Sequence, residues 1–259
     1  MSELLVERRD RVLRLTINRE DKRNSLSRDV LQGLLDGVRN GAADDAVSVV
    51  VVGSAGDKVF SAGADLAVMA NDATGLEQHE GRGLLKDLVV AMRSCPKPVI
   101  ARVQGLCLAG GIGLAAGCDV VLAKETAAFG MPEVERGLWP FMVSALLTRH
   151  MSPKHAMDYM LTGERFDART AYQLGLVSRV FPADSFDADV EAYVEKAANA
   201  APVAMRLGKA AWVAAAETAP LPIALEAMQA QLSLLTTTKD VSEGIAAFFE
   251  KRPPRWSGR

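Results

Sequence analysis

Two glycine-rich segments hold the residues best suited to chemistry. FSAGADL runs from Phe60 to Leu66, and AGGIGLAAGCDVVLA runs from Ala109 to Ala123. Each follows a stretch that reads as a β-strand, and in the second the glycines at 110, 111 and 113 open a short helix. Glycine lets a ligand come close to the backbone because no Cβ stands in the way. A helix start also presents unpaired N–H groups and a partial positive charge. Together these suit an oxygen that turns negative during a reaction. The same glycines also permit plain tight packing of strand on helix, and spacing alone does not separate the two readings. Neither segment matches GxGxxG or GxxxxGKS/T, so nucleotide phosphate binding by those patterns is unsupported.

The elements that must position these segments alternate along the chain. Residues 12–17, VLRLTI, alternate as a strand does. A polar connection over 21–26 leads to Ser27, placed to cap a helix whose stripe is Val30, Leu31, Leu34, Leu35 and Val38. The β-branched run VSVVVV at 47–52 reads as a strand buried on both faces, as in a parallel sheet, and 53–65 as loop. Leu84, Leu85, Leu88, Val89 and Met92 mark an amphipathic helix ended before Pro96 and Pro98. Further strands are predicted at 99–103, 119–123 and 177–181, with helices at 141–150, 153–161 and 168–174.

Beyond residue 183 the strand patterns stop. Helices are predicted at 186–199, 203–217 and 221–236, and a last one from Asp240, where Asp240 and Glu243 have the spacing of a capping box; Pro253 and Pro254 end it. The pattern predicts an α/β core over 1–183 carrying the active site and a helical region over 184–259. A helical tail too small to bury its own apolar faces points to packing between subunits.

Composition narrows the function classes. The 259 residues are 49% hydrophobic and 24% charged, ordinary for a globular protein with a sizeable core. A net charge of −2 argues against nucleic acid as the main partner. No uninterrupted apolar run reaches the roughly 18 residues of a spanning helix. The first residues, MSELLVERR, carry charge where a signal peptide needs its apolar run, so a cytoplasmic protein with no membrane partner is expected. Cys95, Cys107 and Cys118 lack a CxxC pair and read as small buried thiols. His79, His150 and His155 lack ligand spacing, so no metal site is expected.

Taken in order, the motifs NREDKRNSLS at 18–27, FSAGADL at 60–66, KPVIARVQGLCLAGGIGLAAGCDVVLA at 97–123, FGMPEVERGL at 129–138, LTGERFDARTAYQLGLVSRVFP at 161–182 and AFFEKRPP at 247–254 resemble the crotonase superfamily, the enoyl-CoA hydratases and isomerases, nearly end to end. The resemblance implies a crotonase-like spiral of ββα units and a C-terminal helical region that builds a homotrimer, often paired into a hexamer, and completes the coenzyme A site. It implies an oxyanion hole made by the backbone N–H groups of Ala64 and Gly110. It implies CoA binding by Lys22, Arg23 and the FSAGADL loop, including Ala62, Asp65 and Leu66, the Asp65 carboxylate itself reading as structural like that of Asp119. Phe248 and Lys251 match positions that reach a neighbouring subunit's ligand in relatives. No cofactor is implied beyond the CoA of the substrate.

The resemblance also raises the acid–base question. Hydratases of this superfamily use two glutamates to hold and activate one water. One matches Glu133; the other position is Gly113 here. Glu133 is therefore the expected general acid/base, with Glu135 pointing away. Phe141 replaces the aspartate of dienoyl isomerases, and no histidine and aspartate are placed for the dehalogenase branch. Trp139, Phe141, Met142 and Val143 either line an acyl pocket or pack the next helix. The expected activity is 2-enoyl-CoA hydration through an oxyanion-stabilised enolate. A 3-enoyl to 2-enoyl isomerase using Glu133 alone and a catalytically weak acyl-CoA-binding protein are the alternatives.

Overall fold

The computed structural model describes residues 2–65, 75–216 and 218–259. Among the described residues ten strands form two sheets. Six of them, β1 (Leu4–Arg9), β2 (Val12–Ile17), β3 (Val49–Ser54), β5 (Val99–Val103), β7 (Val120–Lys124) and β10 (Arg179–Phe181), stand in the order β1-β2-β3-β5-β7-β10. All neighbours there are parallel except the β1–β2 hairpin. The four short strands β4 (Val59–Ser61), β6 (Leu106–Leu108), β8 (Ala128–Gly130) and β9 (Arg165–Asp167) form the second sheet in that order, parallel up to β8.

Chain order explains this arrangement. A long strand enters the large sheet, a short one follows in the small sheet, and a helix returns the chain, as β3–β4 and then α2 (Gly75–Ser94), and β5–β6 and then α3 (Gly110–Gly117). This is the expected spiral of ββα units. The core sits between the large sheet and α1 (Arg28–Ala43), α2 and α3. Val50 and Val52 enter that cluster, while Val49 and Val51 face the opposite side with Ile100 and Leu122. β3 is thus buried on both faces, as its unbroken valine run requires. Fully burying each such side chain is worth roughly 1.5–3 kcal/mol.

Helices α4 (Phe141–His150), α5 (Pro153–Thr162) and α6 (Ala168–Gln173) lie close to their expected spans. After β10 only helices follow among the described residues: α7 (Phe186–Ala198), α8 (Pro202–Ala211), α9 (Leu221–Leu235) and α10 (Lys239–Glu250). α7 packs Phe186, Val190 and Val194 on the outer face of the large sheet. No helix among the described residues is long and apolar enough to cross a membrane.

Several expectations need correction. The stretch 53–65 is not all loop, because Val59–Ser61 pairs with Leu106–Leu108. The valine strand starts at Val49 rather than Val47. The helix expected over 203–217 ends at Ala211, and Trp212–Ala216 continues as a wider π turn. Asp240 and Glu243 form no capping box. Thr238 is the N-cap, its hydroxyl accepting from Val241 N at 3.4 Å. Asp240 turns inward and accepts from Ser257 N at 2.7 Å and Gly258 N at 3.1 Å, while Glu243 pairs with Arg252 at 2.6 Å and accepts from Arg255 N at 2.7 Å. These two carboxylates fasten the last residues of the chain rather than the start of the helix.

Candidate active site

The small sheet delivers the site. Its strands β4, β6 and β8 run parallel side by side, and Ala64, Gly110 and Glu133 each lie just past the C-terminal end of one of them. Crevices outside the carboxyl ends of parallel strands are where open α/β sheets take ligands.

The first two positions offer main-chain N–H groups. Gly63 has φ +91, and a Cβ there would stand 2.7 Å from Ala109 Cβ and 3.0 Å from Gly110 N. Only glycine lets the two segments touch. Conversely, a Cβ on Gly110 would lie 3.5 Å from Ala64 N, so the two amides stand on adjoining turns. Their directions follow from peptide planarity, which sets N–H opposite C=O. Gly63 O accepts from Leu26 N at 2.8 Å, which turns the Ala64 N–H away from Leu26. Ala109 O accepts from Ile112 N at 2.9 Å and Gly113 N at 3.4 Å, which turns the Gly110 N–H out of the helix start. Neither amide has a protein acceptor among the described residues. Ala109, which joins β6 to α3, holds φ 52 and ψ −126, a strained backbone for a residue with a Cβ. Sequence reasoning missed it, since an alanine carries no mark of such a conformation.

Glu133 sits in the 3-10 turn Pro132–Arg136 that follows β8. Its Oε2 is buried and without a hydrogen-bond partner among the described residues. Burial pushes the carboxyl above the usual glutamate value, only partly opposed by its own backbone N–H and by Arg136. A raised pKa makes a carboxylate a better base once ionised. Glu135 is exposed and lies 3.6 Å from Arg136, consistent with its turning away. At Gly113, a Cβ would meet Val143 Cγ2 at 3.3 Å and Leu85 Cδ2 at 3.6 Å. Gly113 is therefore walled by two aliphatic side chains.

The remaining expected residues spread around this centre. Lys22 and Arg23 are exposed, and Arg23 O accepts from Ala62 N at 3.0 Å, which ties the cationic turn to the glycine loop. The Asp65 carboxylate is paired with Arg19 at 2.9 Å. Leu66 lies outside the described residues. Trp139 packs partly against the core and Val143 is buried in it, whereas Phe141 is 77% exposed and Met142 also faces solvent. Phe248 and Lys251 lie at the end of α10, far along the chain. Phe248 is 78% exposed with its ring 5.6 Å from that of Phe249. Asp119, read as structural, accepts from Val99 N at 2.7 Å and from Lys209 Nζ at 2.6 Å. No group of three His, Cys, Asp or Glu side chains among the described residues is arranged to hold a metal ion.

Comparison with known proteins gives the family and the fold. The family model for enoyl-CoA hydratase/isomerase matches residues 7–259. The chain is 38% identical to a 2,3-dehydroadipyl-CoA hydratase of Escherichia coli K12 over 100% of both proteins. It is 33% identical to a crotonyl-CoA hydratase of Syntrophomonas wolfei, covering 96% of this chain and 95% of that one. Its fold superposes on the crystal structure of an enoyl-CoA hydratase from Bacillus anthracis with a TM-score of 0.93 at 30% identity, covering 99% of this chain and 100% of the other. With a matching family model, full-length relatives and the spiral fold in agreement, the chain is an enzyme of the enoyl-CoA hydratase/isomerase family, the crotonase superfamily.

Proposed function

We propose that the enzyme adds water across the 2,3 double bond of 2-enoyl-CoA thioesters, giving 3-hydroxyacyl-CoA. The observation that carries this reading is that three neighbouring strand ends supply two amides without an acceptor and one carboxylate with a buried oxygen without a partner, among the described residues. The Ala64 and Gly110 N–H groups hold the thioester oxygen. Glu133, ionised, takes a proton from water while the hydroxyl oxygen bonds to C3. The π electrons move onto the thioester oxygen as an enolate. Glu133 then returns the proton to C2 as the carbonyl reforms. One carboxylate suffices for this balance, since it gives back the proton it takes. Losing one oxyanion donor typically costs about 3–4 kcal/mol of transition-state stabilisation.

Lys22, Arg23, Ala62 and Leu66 are assigned to the CoA portion, and Trp139 and Phe141 to the acyl end. The names of the E. coli and S. wolfei relatives support a short or dicarboxylic 2-enoyl substrate class. The proposal includes a homotrimer or a hexamer. Leu221, Ile223, Leu225, Leu232, Phe248 and Phe249 of α9 and α10 are all more than half exposed, more apolar surface than a solitary domain ordinarily leaves open. Three buried free thiols accord with a reducing compartment, and a cytoplasmic location is part of the reading.

One observation favours a second reading. The aliphatic wall of Val143 and Leu85 over Gly113 suits a site that keeps water out. Glu133 would then shuttle a proton between C2 and C4 of a 3-enoyl-CoA. Incubation with 2-enoyl-CoA and 3-enoyl-CoA, following absorbance of the conjugated thioester, decides between them. Loss from the first substrate supports hydration. Gain from the second supports isomerisation. Binding of CoA esters with neither change overturns both readings in favour of an acyl-CoA binder.

A further inference from the structure

The turn between β2 and α1 holds an arginine that no role so far uses. The Arg19 side chain is only 11% exposed. Its Nη1 donates to Asp65 Oδ2 at 2.9 Å, to Ser25 O at 3.0 Å and to Ser25 Oγ at 2.8 Å. Its Nε pairs with Glu3 Oε1 at 2.8 Å, and the other Glu3 oxygen accepts from Ser27 Oγ, the hydroxyl that caps α1. One planar guanidinium therefore joins β1, the start of α1 and the residue next to Ala64. Such a fork fixes direction in a way a point charge does not.

The geometry matters because of what precedes Asp65. Gly63 is at φ +91, where a glycine backbone has wide freedom and its own sterics do not hold the next peptide plane. The bond from Leu26 N to Gly63 O pins that plane at one edge, and the bond from Asp65 N to Leu26 O, at 3.3 Å, is long. A plane held at one edge can rock about it. The Arg19–Asp65 pair adds a fixed point on the far side of Ala64.

We propose that Arg19 is a positioning residue for the oxyanion hole, acting through Asp65 to aim the Ala64 N–H. This rests on the assignment of that amide to the thioester oxygen. The test uses the full-length enzyme and its Arg19→Gln, Arg19→Lys, Asp65→Asn and Arg19→Gln/Asp65→Asn variants. Three quantities are read: kcat on 2-enoyl-CoA, the dissociation constant of a saturated acyl-CoA, and the infrared carbonyl stretch of that ligand carrying a 13C thioester carbonyl. Arg19→Gln and Asp65→Asn are each expected to lower kcat by about 10–100-fold, short of the 10²–10³-fold loss of a whole donor. The dissociation constant should change by less than about threefold, because the CoA contacts remain, while the carbonyl band moves back toward its solution position. The double variant should be no worse than the worse single one, and Arg19→Lys should recover part of kcat.

Wild-type kcat in both single variants overturns the inference, as does a fall in kcat with the carbonyl band unmoved. If Arg19→Gln does not fold, Asp65→Asn, which removes only one partner's charge, decides on the same readouts. A wild-type enzyme that binds the ligand without shifting its carbonyl band overturns the oxyanion reading itself. A shifted wild-type band with unaffected variants overturns only the role of Arg19.

Discussion

Around Ala64 and Gly110 the chain is built of small residues, packed to contact and tied back by hydrogen bonds on either side of each amide. From Pro132 to Met142 it is a 3-10 turn, a short loop and the first two residues of α4, with Glu135, Arg136, Gly137, Leu138, Phe141 and Met142 all exposed. The first region offers main-chain dipoles that have no rotamers. The second offers a carboxylate on a side chain with three torsions. In the proposed mechanism, charge stabilisation is therefore set rigidly by the fold, while proton transfer and acyl contact are left to groups that can adjust. Preorganised donors cost no reorientation as charge develops, which is why rigidity belongs on that side.

The largest expected effect falls on the adjustable side. Glu133→Gln should lower kcat by about 10²–10⁴-fold with acyl-CoA binding retained; an active variant would break the contrast at once. On the rigid side, Gly110→Pro deletes the donor itself while keeping a residue that first helical positions accept. It should lower kcat by about 10²–10³-fold, and a folded, fully active variant would show that the hole lies elsewhere.

The pH profile sharpens the comparison further. The base must be ionised, so kcat/KM should rise with pH through a midpoint above the ordinary glutamate value of 4.5 and then level. The same shift has a stability consequence of opposite sign. With a folded pKa above the unfolded one, the contribution of Glu133 is fully present below about 4.5 and is lost as pH rises through the folded value. Glu133→Gln should therefore have a higher urea midpoint than wild type at neutral pH, though not at pH 4. Phe141→Ala, at the exposed end, should alter the ratio of kcat/KM between short and long acyl chains by no more than about tenfold, read from paired substrates.

The smallest effect is expected outside both regions. Arg252 and the Arg255 N–H hold the Glu243 carboxyl at about 2, below the ordinary 4.5. That fastening is present above 4.5 and fades as pH falls toward 2, and salt screens it because the pair is only partly buried. Glu243→Gln should leave kcat within about twofold of wild type while hastening proteolysis at residues 251–258, a difference that shrinks in high salt.

The large-scale fold was legible because its elements announce themselves by burial. A four-valine strand and the 30-31-34-35-38 stripe admit few other structures. The short strands were not legible: three residues such as Leu106–Leu108 give no period, and they pair only because the spiral brings them together. The same limit explains Asp240 and Glu243, whose spacing matched a helix cap while tertiary partners in the tail competed for them and won. At the candidate site, the glycines were compatible with backbone donors at a helix start and equally with tight strand–helix packing; the choice between these, and which amides and which carboxylate, came from resemblance to a family. Arg19 left no trace in periodicity, since a buried guanidinium is defined by partners far away in sequence.

The three strand ends that meet at the site have a kinetic corollary. Ala64, Gly110 and Glu133 come from successive turns of the spiral, so none of the local folding steps assembles any two of them. Parallel pairings closed over long loops form late, because chain entropy is lost before their contacts are gained. Turnover regained during refolding should accordingly lag behind helix content, and the enzyme becomes its own reporter for closure of the small sheet.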